Sequence, residues 1–163
     1  MSRYLCLMIS LVLGCKDEQS CEVDDLGADV ARAEVDGSDW AANGGSWSVA
    51  GSAVQVSMES ASGLTLTLRA TADDGGDSVA ERVDSGDVPI VVELSGADGH
   101  GGVMDLRNGI DAYASNQEGG SGTMTISAVS GDNELSACFE FDAVRQMDGR
   151  ILQVREGRVT IGQ

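Results

Sequence analysis

Apolar and polar residues alternate along much of the chain beyond residue 50, so that every second side chain is apolar. The apolar positions of these runs are Val54, Val56, Met58, Leu64, Leu66, Leu68, Met124, Ile126, Leu135, Ala137, Phe139, Phe141, Leu152, Val154, Val159 and Ile161. A period of two is typical of antiparallel strands that bury one face. No segment beyond residue 28 has the apolar spacing of a helix, so the pattern predicts an all-β fold.

Turn-forming residues separate the alternating runs. The segments that join them are Ser60–Gly63, Asn108-Gly109, Gly131–Asn133 and Asp148-Gly149. Asn108-Gly109 is the strongest hairpin signal, because both residues accept the positive φ of a type I′ turn. About ten short strands joined in this way predict an antiparallel β-sandwich or a flattened β-barrel, which the period alone does not distinguish.

Two irregularities refine this prediction. Pro89 stands among β-branched residues and predicts a sheet edge, because proline has no N–H to donate to a neighbouring strand. Val154 and Val159 are an odd number of residues apart, so strict alternation would place them on opposite faces of the strand. A bulge at Gly157 would bring both side chains to the inner face. The side chains that we expect in the core are Val54, Val56, Leu64, Leu66, Leu68, Met124, Ile126, Phe139 and Phe141.

The N-terminus carries an apolar run, Tyr4–Leu13, that follows Arg3 and leads into Gly14 and Cys15. The run is shorter than the roughly 20 residues that span a bilayer, but it fits a secretory signal peptide. A cysteine directly after a small residue resembles a bacterial lipobox, in which Cys15 would be the lipidated first residue. A cleaved signal with a chance cysteine and a short N-terminal anchor are the alternatives.

This interpretation divides the chain into a signal peptide (1–14), an acidic tether (15–28) and a β-domain (29–163). It predicts a protein of the bacterial cell envelope, held by lipid at the outer membrane or the periplasmic face. The formal charge of −17 excludes nucleic acid as a partner, because such a surface repels phosphates. The sequence identifies neither a protein nor a glycan partner.

Four cysteines reduce to two that can pair in the mature protein. Cys6 leaves with the signal peptide and Cys15 carries lipid, which leaves Cys21 and Cys138. An oxidising compartment favours a disulfide between them. Alternation places Cys138 on the polar face of its strand, within reach of a tether that folds back. Alternatively, Cys138 is a small half-buried residue, and Cys21 stays free or pairs between chains.

Candidate chemistry is sparse. His100, the only histidine, lies in a glycine-rich loop and is expected to be an exposed loop residue rather than a catalytic or zinc-binding one. Asp73, Asp74 and Asp77 form an acidic loop that offers calcium ligands without the EF-hand spacing. A solvated acidic turn is the preferred interpretation of this loop. The sequence contains no cofactor motif and no catalytic constellation.

The two tryptophans, Trp40 and Trp47, have two interpretations. The first is that they pack across one end of the core. The second is that they form a stacking platform for sugar rings. A pair of carboxylates for glycoside hydrolysis is a third possibility, but 27 acidic residues always place some pair nearby, so abundance does not support it.

Several segments resemble an uncharacterised family of bacterial lipoproteins, whose members begin with an alternating strand, an Asp-Gly turn, a Trp and a small residue. The resemblance covers residues 29 to 162 and is carried by Ala31–Ala42, Ala53–Ser57, Gly63–Leu68, Ser121–Ser127, Leu135–Phe141, Asp148-Gly149 and Glu156–Ile161. It implies an all-β secreted domain behind a lipid anchor. It implies no activity, cofactor or catalytic residue.

Together these observations predict a lipid-anchored, non-enzymatic envelope protein with a structural or ligand-binding β-domain. A carbohydrate-binding or adhesive surface domain with an exposed aromatic is the alternative. An envelope hydrolase that uses an acid pair is the least favoured hypothesis.

Overall fold

A computed structural model of the protein describes residues 21, 23, 26, 30–73, 75–95, 102–108, 111–130 and 133–163. These residues form eleven strands and one short helix. In chain order the elements are β1 (Ala31–Val35), β2 (Ser38–Ala42), β3 (Gly44–Ala50), β4 (Ala53–Glu59), β5 (Leu64–Ala70), α1 (Val79–Ser85), β6 (Ile90–Ser95), β7 (Gly102–Asn108), β8 (Asp111–Ala114), β9 (Ser121–Val129), β10 (Glu134–Arg145) and β11 (Ile151–Gly162).

The strands form one antiparallel sheet that is nearly closed like a barrel. The strand order is β2-β1-β11-β10-β8-β7-β5-β4-β3, and β9 and β6 branch from β10. The two end strands of this path, β2 and β3, are consecutive in the chain and are separated by Asn43 alone. The predicted all-β antiparallel fold is confirmed. Of the two architectures that the period left open, the nearly closed sheet corresponds to the barrel.

The hairpin of β10 and β11 is the longest pairing that the structure describes. Each strand has twelve residues, and their register runs from Glu134 opposite Gly162 to Val144 opposite Ile151. On its far side β11 pairs with β1, whereas β10 pairs first with β9 and then with β8. The strands β1, β9 and β8 therefore take their positions from this hairpin.

The core lies inside the sheet and is filled by the alternating apolar side chains. Eight of the nine expected core residues are buried, and the ninth, Leu64, is half-buried and packs against the others. Fully burying a side chain of this size contributes about 1.5–3 kcal/mol relative to leaving it in water. The predicted hairpin of Val54–Glu59 with Leu64–Ala70 corresponds to β4 and β5. Gly109 of the predicted type I′ turn lies outside the described residues.

The predicted bulge in the last strand exists, but it lies one residue earlier than predicted. Phe139 pairs with Gly157 and Phe141 pairs with Val154, so Arg155 and Glu156 together oppose the single residue Glu140. The extra residue is accommodated by a positive φ of 52° at Glu156. Gly157 itself takes an inward position, and a Cβ there would overlap the Phe139 ring and lie 2.5 Å from the Phe139 carbonyl oxygen.

The helix α1 corrects the prediction that no helix follows the tether. Ser78 caps its N-terminus by accepting a hydrogen bond from the Glu81 N–H (3.4 Å), and Gly86 ends it with a left-handed φ of 70°. A serine followed three residues later by glutamate, and then by a glycine, is a recognisable pair of helix end signals. With seven residues, α1 is too short to show an apolar repeat.

Pro89 lies directly before β6, and β6 pairs with β9 alone among the described strands. The predicted sheet edge at Pro89 is thus confirmed for the part of the chain that the structure describes. Within that part, no helix is long and apolar enough to cross a membrane.

We expect Gly157→Ala to lower the free energy of unfolding by about 1–3 kcal/mol, because the new methyl group must displace the Phe139 ring in a packed core. Chemical denaturation of the two proteins measures the difference. Gly162→Ala is the matched control on the same strand, since a Cβ at Gly162 meets nothing within 4 Å. Equal stability of the Gly157→Ala protein and its parent would contradict this packing.

Candidate functional site

The outer surfaces of β1, β11, β10 and β9, which are neighbours in that order, form a concave polar face. A surface cavity of about 680 Å³ lies on it, and cavities of about 480 and 340 Å³ adjoin it. We call this surface the Cys138 face and define it by Arg32, Glu34, Thr123, Thr125, Cys138, Glu140, Arg155, Glu156 and Arg158. It contains the one disulfide found among the described residues.

That crosslink is a disulfide between Cys21 and Cys138, whose Cα atoms are 5.5 Å apart. Cys138 is half-buried in the middle of β10, where it lies between Arg158 of β11 and Thr125 of β9 in the strand register. Cys21 Sγ lies 3.7 Å from the Thr125 carbonyl oxygen. The predicted pairing of Cys21 with Cys138, on the polar face of the strand, is confirmed. The chain before β1 is therefore attached to the centre of this face.

Arg155 holds the bulge of β11 against β10. Its guanidinium donates hydrogen bonds to the carbonyl oxygens of Phe141 (3.0 Å) and Val154 (2.9 Å). It also forms an ion pair with Asp142 on β10. These contacts satisfy carbonyl groups where the extra residue disturbs the regular ladder, so Arg155 stabilises the local shape of the cavity.

Arg158 and Arg32 are directly opposite each other on β11 and β1. Like charges in such a position repel each other. The carboxylates of Glu34 and Glu156 line the same cavities. The Arg158 side chain is exposed and has no ion pair or hydrogen bond with another described residue. The face therefore presents both signs of charge, with threonine hydroxyls between them, and suits polar contacts better than apolar ones.

The two tryptophans are buried, so neither provides the sugar-stacking platform that was the alternative interpretation of them. Trp40 is 7% exposed and Trp47 is 6% exposed. The Trp47 indole N–H donates a hydrogen bond to the Asn133 carbonyl oxygen (2.8 Å), which ties β3 to the start of β10. Trp40 lines the cavity of about 480 Å³ together with Leu26, but it does not present a ring face to solvent. The core interpretation of both residues is correct.

Asp73 has a structural role that the acidic-loop interpretations missed. It is buried, and one carboxylate oxygen accepts hydrogen bonds from the backbone N–H groups of Gly75 (2.9 Å) and Asp77 (2.8 Å). The other oxygen forms an ion pair with Arg82 of α1 at 2.5 Å. Both carboxylate oxygens of Asp73 thus bind protein groups and are not free for calcium. Gly75, Gly76 and Asp77 of the same loop are exposed, as the interpretation of a solvated turn expects. Asp74 lies outside the described residues.

These hydrogen bonds shift the titration of both partners. The bond from the Asp77 N–H and the contact with Arg82 lower the pKa of Asp73 below its usual value. The hydrogen bond to Asp73 raises the pKa of Arg82 above its usual value. Arg82 also contacts Asp87 and the Pro89 carbonyl oxygen, so this pair joins the 73–77 loop, α1 and the start of β6.

Two other candidate residues, Cys15 and His100, lie outside the described residues. Among the described residues, no group of three or more His, Cys, Asp or Glu side chains is arranged to hold a metal ion. Sequence reasoning found Cys138 but missed Arg32, Arg155 and Arg158, because their proximity depends on strand register.

Comparisons with known proteins give no relative. No protein-family model, no curated protein and no solved structure matches this chain. The resemblance to a lipoprotein family therefore stays a prediction from the residues quoted above.

We expect Cys21 and Cys138 to resist alkylation in the unfolded, unreduced protein and to react after reduction. Replacing both by serine should lower the free energy of unfolding by about 2–4 kcal/mol, because the crosslink restricts the unfolded chain. Peptide mass spectrometry and denaturant titration measure the two effects. Alkylation of either residue without reductant would show that the bridge is not formed.

Asp73→Asn should destabilise the protein at neutral pH by removing the charge that Arg82 contacts. Because folding lowers the pKa of Asp73 below its ordinary value of 3.8, this contribution is fully present above that value. The contribution is lost as the pH falls through the pKa that Asp73 has in the folded protein. The difference in stability between the parent and the Asp73→Asn protein should therefore become smaller in acid.

Thermal unfolding from pH 7 to pH 2 measures that difference. Asp87→Asn is the matched control, because Asp87 contacts the same arginine with a carboxylate that is 68% exposed. It should have a smaller effect at every pH. A difference in stability between the parent and the Asp73→Asn protein that stays constant across this pH range would contradict the stabilising role of the Asp73 carboxylate.

Proposed function

We propose that this protein is a lipid-anchored, non-enzymatic component of the bacterial cell envelope, with a β-domain that has a structural or ligand-binding role. The observation that carries the proposal is the Cys21–Cys138 disulfide. Disulfides persist in oxidising compartments outside the cytoplasm. This agrees with an export signal in residues 1–14 and with lipid attachment at Cys15.

The character of the Cys138 face supports a binding or scaffolding role rather than catalysis. It offers arginine, carboxylate and hydroxyl groups, and its cysteine is already bonded. A strongly perturbed titratable group inside a cleft is the usual mark of a catalytic residue. The perturbed pair Asp73 and Arg82 lies by the 73–77 loop and α1 and contributes to none of the three cavities.

The alternative of a carbohydrate-binding or adhesive domain has less support. It needs an exposed ring, whereas each aromatic side chain in the described residues is buried. These side chains are Trp40, Trp47, Tyr113, Phe139 and Phe141. The hypothesis of a hydrolase also has less support, because it rests only on the presence of Glu34, Glu140 and Glu156 around one cavity.

Cys15→Ser tests the anchor. We expect the parent, isolated from bacterial membranes, to carry lipid mass and to enter the detergent phase. The serine variant should lose both properties, because acyl chains dominate the membrane affinity at about 0.8 kcal/mol per buried CH₂.

Cys6→Ser is the matched control, because it removes a cysteine from the apolar run and leaves the acceptor intact. It should retain the lipid mass of the parent. A Cys15→Ser protein with the same mass increment and partitioning as its parent would refute lipid attachment at this residue.

A further inference from the structure

We propose that the Cys21–Cys138 disulfide is a site of thiol–disulfide exchange that reacts while the domain stays folded. Its substrate class is a dithiol, such as the reduced active site of a thiol oxidoreductase, which donates two electrons. The first thiolate of this reductant attacks Cys21 Sγ, and Cys138 leaves as the thiolate. The proposal does not depend on lipid attachment at Cys15.

Both cysteines of the disulfide lie at the surface of the sheet and not in its core. Cys21 and Cys138 are half-buried and line the surface cavity of about 680 Å³. The chain neighbours of Cys138 on β10, Ala137 and Phe139, take inward positions and are buried. A thiolate reaches a disulfide at a surface cavity without unfolding of the protein, whereas a cysteine in a packed core is inert. The position of this bond therefore favours exchange in the native protein.

The groups around the bond favour Cys138 over Cys21 as the leaving sulfur. Arg158 is directly opposite Cys138 on β11 and has no ion pair or hydrogen bond with another described residue. Cys21 Sγ lies towards β9, on the other side of β10, at 3.7 Å from the Thr125 carbonyl oxygen. A guanidinium stabilises a departing thiolate, whereas the negative end of a carbonyl dipole destabilises one. The negative charge therefore develops on Cys138.

Three carboxylates, those of Glu34, Glu140 and Glu156, line the same cavity and oppose this effect. Glu140 is two residues from Cys138 along β10. Residues two apart on a strand are separated by about 6.6 Å, whereas directly opposed residues have Cβ atoms about 4.5–5.5 Å apart. Arg158 is thus the nearest charged residue to Cys138 by register, and its effect on the leaving sulfur dominates.

The exchange has two balanced steps. In the first step, the attacking thiolate forms a bond to Cys21 Sγ, the Cys21–Cys138 bond breaks, and its electron pair goes to Cys138. In the second step, the other thiol of the reductant loses its proton and attacks the mixed disulfide, which releases Cys21. The reductant is oxidised to a disulfide, and its two protons end on Cys138 and Cys21.

Reduction detaches the chain at Cys21 and leaves the sheet paired. Cys138 keeps its place between β9 and β11, because backbone hydrogen bonds join these strands to β10. The first described backbone contact after Cys21 is the hydrogen bond from the Val30 N–H to the Ala42 carbonyl oxygen (2.8 Å). The reduced protein therefore loses the attachment of Cys21 to the Cys138 face and keeps its strands.

The first test follows reduction of the native mature protein by dithiothreitol, with pulse alkylation and peptide mass spectrometry. We expect a rate that rises in proportion to the dithiothreitol concentration, with no change in the circular dichroism of the sheet. Arg158→Gln should slow the reaction about threefold or more, because it removes the charge that stabilises the Cys138 thiolate. Arg32→Gln is the matched control, since it removes the same charge one strand farther away and should change the rate less.

The second test identifies the attacked sulfur by a short exposure to glutathione that is quenched with acid. We expect glutathione on Cys21 and a free thiol at Cys138. Glutathione found mainly on Cys138 overturns the proposal, as does an equal rate of reduction for the Arg158→Gln protein and its parent. A rate that is independent of the dithiothreitol concentration, or loss of the sheet signal on reduction, also overturns it, because the bond then reacts only with unfolding.

Discussion

The pairing of β10 with β11 is the constraint on which the rest of the structure depends. It is the longest ladder in the described residues, and its two strands border β1, β9 and β8. Inward side chains such as Phe141 and Val154 are paired across it and are almost fully buried. A one-residue slip in this register would turn every core side chain of the hairpin towards water. The hairpin therefore fixes both the core and the outer surface that carries Cys138.

The bulge in β11 links that constraint to the candidate site. By opposing Arg155 and Glu156 to one residue of β10, it keeps Val154 and Val159 facing inward despite their odd spacing. The same extra residue appears in the pairing with β1, where Arg32 opposes Arg158 but Glu34 opposes Arg155. Backbone irregularity of this kind is common where a strand must direct a side chain to a particular place. Here it brings Arg155 to Asp142 and leaves Arg158 beside Cys138.

Much of the fold could be predicted because the alternation of apolar and polar residues shows directly which side chains are buried. The strands, the core around Leu66 and Ile126, and the presence of a bulge follow from which positions face inward. The position of the bulge could not be predicted. The spacing of the apolar residues shows that the strand has one extra residue, but it does not show which residue adopts the irregular backbone conformation. The helix was missed because its signals are end caps at Ser78 and Gly86 rather than an apolar stripe.

The site was less predictable, for a different physical reason. The disulfide could be inferred because the expected removal of Cys6 and the expected lipid on Cys15 leave two thiols with one sensible pairing. The opposition of Arg32 and Arg158 could not, because it depends on the register of strands far apart in the chain. The role of Asp73 was hidden as well, since a short acidic loop looks solvated until Arg82 is placed against it.

Hydrogen exchange tests most directly whether the β10–β11 hairpin organises the domain. Amides that exchange only through global unfolding mark the most stable part of a structure. The account predicts that the slowest amides lie in β10 and β11, with exchange free energies equal to that of global unfolding, and that β4 and β5 exchange no more slowly. Exchange of β10 and β11 by local opening, while β4 and β5 remain protected, would contradict it.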